Sequence, residues 1–223
     1  MFIVPILREN PVALLYILPI LVMTLTVHEL CHGLAAFLLG DTTAKEQGRL
    51  SLNPLKHIDL MGFIALMIAG FGWAKPVGVD LRNLKKPKRD FALVAAAGPL
   101  SNFTLAFLLT VVFVILWYAV SLQPESAAAQ ALYYAILINI GLGVFNLLPI
   151  PPLDGSRLVA AFLPDRIYIK YLRTERFGMF IILALVMLGV LTEFLYTLRT
   201  AVFEGMIGAA EPPVRFLYQL LTR

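Results

Sequence analysis

The sequence predicts an all-α membrane protein: a polytopic bundle of about four transmembrane helices, with a small membrane-associated β-hairpin region and a C-terminal interfacial helix. Of its 223 residues, 60% are hydrophobic and 14% are charged, and the mean hydropathy is +0.83. Soluble domains carry about 25% charged residues. Uncharged stretches of the chain also reach the roughly 20 helical residues needed to cross a hydrocarbon layer about 30 Å thick. The lipid bilayer is therefore the expected solvent.

Four apolar stretches predict the transmembrane helices. Residues 91–124 and 126–153 contain no charged side chain, which predicts a tight helical hairpin, and a further apolar stretch lies between Arg176 and Arg199. The mixed composition of residues 200–223 predicts an amphipathic C-terminal helix in the membrane interface. Within a membrane-embedded core of residues 1–199, the predicted spans are at about residues 11–40, 91–120, 127–149 and 177–198.

Residues 41–90 differ from the rest of the chain, because turn-forming Asn, Pro and Gly residues divide them into short apolar pieces. No transmembrane helix fits there. Arg49–Leu52 and Pro76–Val79 alternate between polar and apolar residues as strands do, which predicts a re-entrant region with a small hairpin. Non-helical backbone at membrane depth must line protein or water.

Basic residues predict the orientation of the spans, because Lys and Arg are enriched in cytoplasmic loops. Loops 41–90 and 156–176 are accordingly expected in the cytoplasm and the N-terminus outside, in a multi-pass protein of a prokaryotic plasma (inner) membrane. Such clusters contact lipid headgroups more often than nucleic acid, so membrane lipids are expected partners and nucleic acid is not. The two clusters are Lys85, Lys86, Lys88, Arg89 and Arg166, Lys170, Arg173, Arg176.

The first apolar stretch contains a candidate metal site. His28 and His32 are four residues apart, so a helix projects both imidazoles from one face toward a single ion. Glu29 lies on the adjoining face, where a carboxylate can take a proton from a metal-activated water. Because Cys31 is the only cysteine, a zinc site here must use nitrogen and oxygen ligands.

A catalytic zinc site has three protein ligands and one open position, so a third ligand is expected elsewhere in the chain. His57 and the six aspartates are candidates. Asp154 stands out because it follows 28 uncharged residues and a proline-rich break in the third span. With the predicted orientation, it also lies at a depth similar to that of the two histidines. The alternative is an ordinary helix end with a solvated Asp154.

Two motifs carry a resemblance to a known family. His28–His32 reads HExxH, and Asn146–Gly155 reads NxxPxPxLDG. Together they resemble the site-2 proteases, membrane-embedded zinc metallopeptidases of regulated intramembrane proteolysis. Gly98–Asn102 and Phe71–Val77 also look like family features. The chain is similar to a minimal member that lacks PDZ and nucleotide-sensing domains.

The resemblance implies that His28, His32 and Asp154 bind one Zn²⁺ and that Glu29 is the general base. It implies further that Asn146 faces the substrate, where its amide could donate to a developing oxyanion. A helix–helix hydrogen bond is the alternative interpretation of Asn146. The implied substrates are transmembrane segments of other proteins, cleaved for signalling or to clear remnant signal peptides.

Two further residues are candidate substrate contacts. Asn102 has the same two interpretations as Asn146, and its neighbours Gly98 and Ser101 favour close helix packing. His57 is either near the catalytic cavity or part of an interfacial turn.

Two other functions fit a membrane metal site. A divalent-metal transporter would use it for transient ion binding, and a catalytically silent scaffold would keep the metal for stability. Neither function needs Glu29.

Overall fold

The structure, a computed structural model, describes residues 11–69 and 72–222. The predicted extracytoplasmic N-terminus at residues 1–10 lies outside the described residues, as does Phe71. Helices make up 78% of the structure, and the described residues contain no sheet. The α-helices are α1 (Leu14–Leu38), α2 (Thr43–Glu46), α3 (Leu60–Ala69), α4 (Pro87–Val120), α5 (Ala127–Asn146), α6 (Asp154–Ala161), α7 (Asp165–Arg173), α8 (Glu175–Met187) and α9 (Val190–Leu221).

Helices α1, α4 and α5 form the centre of the protein, and each packs against the other two. All three are long and apolar enough to cross a membrane. Local signals define their ends: Pro87 begins α4, and the Ser126 hydroxyl accepts the amide of Ala129 at the start of α5. Between α4 and α5, an apolar core cluster consists of Ala106, Ile136, Ile140 and Val144.

The fourth predicted span is not a single helix. Helices α8 and α9 are bent by 81° relative to each other, so they count as a further span only if the bent pair crosses together. The break contains Gly189, whose φ of 77° is in the left-handed region that glycine adopts readily. The protein is therefore helical with three to four candidate spans.

The predicted boundary at residue 200 falls inside α9, which is continuous from Val190 to Leu221. Helix α9 packs on α4 and α5. At one of these contacts, the Tyr118 hydroxyl donates to Glu211 at 2.8 Å. The placement of residues 200–223 in the membrane interface stays a prediction.

The predicted β-hairpin is not found, since the described part of residues 41–90 contains no strand. One isolated bridge joins Ile58 and Ala74. Backbone amides of the two candidate strands donate to groups other than a partner strand. The Arg49 amide donates to the Ala44 carbonyl at 2.8 Å, and the Val77 amide donates to the Glu29 carboxylate at 2.9 Å. Alternating polarity was a poor guide here because turns and side chains take the backbone hydrogen bonds that a partner strand would take.

Candidate metal centre

Three ligand atoms converge where α1 meets the start of α6. His28 and His32 project from α1, and their Nε2 atoms are 3.0 Å apart. Asp154 Oδ2 lies 3.2 Å from each of these nitrogens. The two histidines are buried, and the Asp154 side chain is 17% exposed. The structure thus brings together the two histidines and the aspartate that the sequence analysis selected.

The triangle of donor atoms has the dimensions of a zinc site. Zinc with ligands at 2.0–2.1 Å in a tetrahedron separates neighbouring ligand atoms by about 3.3 Å. His32 Nδ1 lies 2.7 Å from the Val94 carbonyl, which can only accept, so Nδ1 carries the proton. In neutral His32, Nε2 therefore presents a lone pair toward Asp154.

Asp154 Oδ2 is buried and accepts no hydrogen bond of acceptable geometry from the described residues, although both nitrogens are close. The two Nε2 atoms are also within hydrogen-bonding distance of each other, so either a proton or a cation must lie between these converging lone pairs to relieve their repulsion. A cation removes that repulsion, and a set of two imidazoles and one carboxylate suits zinc. The residues present therefore fit a zinc ion.

The turn before α6 aims Asp154 at the histidines. Helix α5 ends at Asn146, and a short proline-rich turn leads to α6, whose first residue is Asp154. A Cβ at Gly155 would lie 2.1 Å from the Leu147 carbonyl oxygen, so only glycine permits this close return of the chain. A Cβ at Gly178 would likewise meet the Pro151 carbonyl, which shows how closely α8 packs against the turn.

Helix α4 forms one wall of the site through its backbone. A Cβ at Gly98 would lie 2.4 Å from His32 Nε2 and 2.6 Å from His28 Cε1. One turn earlier, Val94 supplies the carbonyl that orients His32. This carbonyl carries no sequence signal, because every residue has one.

Glu29 is not part of the ligand triangle. Its Oε2 accepts the backbone N–H of Val77 at 2.9 Å, so the extended segment after Trp73 lies against α1 beside the metal centre. A carboxylate held this way has its other oxygen available as a proton acceptor. The Val77 amide was also beyond the reach of sequence analysis.

The other candidate residues lie outside the ligand triangle. Asn146 Nδ2 donates to the Leu142 carbonyl of its own helix at 3.0 Å. His57 Nε2 lies 2.8 Å from the Ser51 carbonyl, and the side chain of His57 is buried. Asn102 is fully buried in α4, and its amide nitrogen has no partner in the part of the chain that the structure describes.

Comparison with known proteins gives related sequences from bacteria and archaea. The chain is 39% identical to YwhC of Bacillus subtilis (strain 168) over 210 residues, which is 92% of each chain. It is 30% identical to Rip2 of Mycolicibacterium smegmatis (strain ATCC 700084 / mc(2)155) over 181 residues, 79% of this chain and 68% of Rip2. MJ0611 of Methanocaldococcus jannaschii is 30% identical over 133 residues, 59% of this chain and 62% of MJ0611. All three carry zinc metalloprotease names.

A family model described as Peptidase family M50 matches residues 117–189, a range that includes the motif Asn146–Gly155. No solved structure matches the chain. The match to YwhC covers nearly all of both proteins, and it confirms the resemblance inferred from the two motifs. The chain belongs to peptidase family M50, the site-2 protease family of zinc metalloproteases.

Proposed function

We propose that this protein hydrolyses peptide bonds within transmembrane segments of other membrane proteins, with His28, His32 and Asp154 holding one zinc ion and Glu29 acting as general base. The observation that carries the proposal is the convergence of Asp154 with two buried histidines of a candidate membrane span, next to Glu29 of the same helix. When bound, zinc supplies Lewis acidity that activates water and polarises a carbonyl.

Glu29 accepts the proton of the attacking water and returns it to the leaving amine. The hydrogen bond from the Val77 amide holds one carboxylate oxygen and leaves the other free for this transfer. General acid–base catalysis of this kind contributes about 10²- to 10⁴-fold. The Val77 amide thereby orients Glu29.

Asn146 is the proposed oxyanion partner. Its amide now donates to Leu142 within α5. Rotation about the side-chain bonds would release that amide for a substrate carbonyl oxygen. Asn102 and His57 are weaker candidates for substrate contact, since Asn102 is enclosed in α4 and His57 is engaged by the Ser51 carbonyl.

The proposed protein is a multi-pass protein of a prokaryotic plasma membrane, with its N-terminus outside and loops 41–90 and 156–176 in the cytoplasm. The basic clusters support this orientation, and the bacterial and archaeal relatives support the prokaryotic source. Its substrates would be membrane-tethered regulators or remnant signal peptides.

The test compares Glu29→Gln with the wild-type protein in detergent, using a fusion protein in which a transmembrane segment joins two soluble tags. We expect cleavage to fall at least about 100-fold, while bound zinc stays near one per chain. Glu193→Gln is the matched control, because Glu193 also lies in an apolar helix but is exposed to the surroundings. Cleavage unaffected by Glu29→Gln would refute the mechanism, and zinc flux into liposomes would favour a transporter.

A further inference from the structure

Three buried polar side chains lie on the helices that surround His28. Thr24 on α1, Asn102 on α4 and Asn139 on α5 are at most 2% exposed. Polar groups inside a membrane bundle are costly unless they have partners, and they commonly mark a functional region. The proposed mechanism uses neither Thr24 nor Asn139.

Thr24 and Asn139 are joined by a hydrogen bond between helices. Asn139 Nδ2 donates to Thr24 Oγ1 at 3.0 Å and to the Ala135 carbonyl at 2.8 Å. A carbonyl can only accept, so the amide nitrogen faces Ala135 and both of its protons are used. Asn139 Oδ1 is then a buried acceptor without a partner among the described residues.

His28 presents the complementary donor. Thr24 and His28 are four residues apart on α1, and helical side chains lean toward the N-terminus, so the His28 ring lies over the turn that carries Thr24. His28 Nδ1 is buried and also has no partner in the described ranges. When Nε2 binds a metal, Nδ1 carries the ring proton and must donate it.

Asn102 adds a second unpartnered donor on the same side of the site. It lies one helical turn beyond Gly98, whose backbone abuts both imidazoles. Asn102 Nδ2 is buried without a partner in the described residues. One buried water has the hydrogen-bonding capacity to serve all three groups. It would accept from the donors Asn102 Nδ2 and His28 Nδ1 and donate to the acceptor Asn139 Oδ1.

We propose that Thr24 and Asn139 are positioning residues of the metal centre: Asn139 accepts the Nδ1 proton of His28 through one ordered water that Asn102 also binds, and Thr24 holds the Asn139 amide in place. This interaction fixes the tautomer and ring orientation of His28, as the Val94 carbonyl does for His32. The inference rests on the proposed role of His28 as a metal ligand. Loss of such a partner typically weakens metal binding by about 10- to 100-fold.

The test measures zinc affinity by competition with a chromophoric chelator, without any substrate. Thr24→Val and Asn139→Leu should each weaken zinc binding by about 10- to 100-fold, and Thr24→Ser, which keeps the hydroxyl, should bind within about threefold of wild type. The matched control is Thr110→Val: Thr110 is equally buried, and its hydroxyl donates to Ala106 of its own helix at 2.8 Å. This control should leave zinc affinity unchanged.

A second readout separates positioning from folding. In the Co²⁺-substituted protein, Thr24→Val should shift the visible absorption bands, which report ligand geometry, whereas Thr110→Val should not. Equal zinc affinity in Thr24→Val and Thr110→Val, with unshifted Co²⁺ bands, would overturn the inference. Because neither measurement involves proteolysis, failure of the Glu29 mechanism would leave this result interpretable.

Discussion

Replacement of Gly98 by alanine would place a methyl group inside the metal centre. An added Cβ would lie 2.4 Å from His32 Nε2, 2.5 Å from His32 Cε1 and 2.6 Å from His28 Cε1, whereas ordinary contact begins at 3.4 Å. The imidazoles or helix α4 would have to move by about 1 Å. A displacement of that size is incompatible with zinc–nitrogen distances of about 2.0–2.1 Å.

The strain should fall mainly on the zinc-bound state. Without metal, the imidazoles of His28 and His32 can rotate away from the methyl group, but bound metal prevents this rotation. Overpacking of one methyl group costs about 1–3 kcal/mol. At about 1.4 kcal/mol per factor of ten, zinc binding should weaken by about 5- to 150-fold.

The measurement is again chelator competition on the purified protein, with thermal unfolding of the metal-free form as a check on folding. Gly141→Ala is the matched control, since Gly141 also lies in a central helix and, among the described residues, a Cβ there would come near only Arg199 Cδ, at an ordinary 3.9 Å. We expect this control to bind zinc as wild type does. If Gly98→Ala bound zinc within about twofold of Gly141→Ala, the close packing of α4 on the imidazoles would be disproved.

Two further predictions concern residues 41–90. Val77→Pro removes the N–H that holds Glu29. That charge-assisted hydrogen bond contributes about 1.5–3 kcal/mol, so cleavage should fall about 10- to 100-fold while zinc is retained. Val77→Ala keeps the N–H, and equal cleavage rates of the two variants would contradict this role of Val77. Burial raises the pKa of Asp41, but hydrogen bonds donated by Asn83 and Thr43 outweigh it and hold the pKa below its ordinary 3.8. The stabilisation by Asp41 is therefore complete above pH 3.8 and is lost as the pH falls through the lower pKa of the folded state. The difference in unfolding temperature between wild type and Asp41→Asn should shrink below that pH, and a pH-independent difference would disprove the assignment.

Much of the site follows from local sequence. The spacing of His28 and His32 places both imidazoles on one face of any helix, because this relation depends only on the period of 3.6 residues. The three central helices were also predictable, since each contains a long apolar stretch with few charged residues. Asp154 was selected because a lone charge after a proline-rich break is unusual at membrane depth.

The predictions for residues 41–90 and for the fourth span were less accurate. The strand-like pieces at Arg49 and Val77 have their hydrogen bonds in turns and with side chains, and single-sequence alternation cannot reveal such competing partners. The predicted fourth span is divided between two helices that meet at Gly189, where the hydrophobic pattern continues through the break. A hydropathy profile depends only on residue types, so it does not show a bend that comes from one backbone torsion.

The order of amino acids identifies a helical membrane protein, and it points to a histidine pair with an adjacent glutamate, to a distant aspartate and to a family resemblance. These conclusions need only composition, helical periodicity and short motifs, all of which are local. The folded structure was needed to establish that Asp154 lies 3.2 Å from both histidines, that Gly98 abuts their rings and that Val77 holds Glu29. These contacts join residues far apart in the chain. They arise from the packing of helices and from backbone groups that every residue has, so no local sequence pattern reveals them.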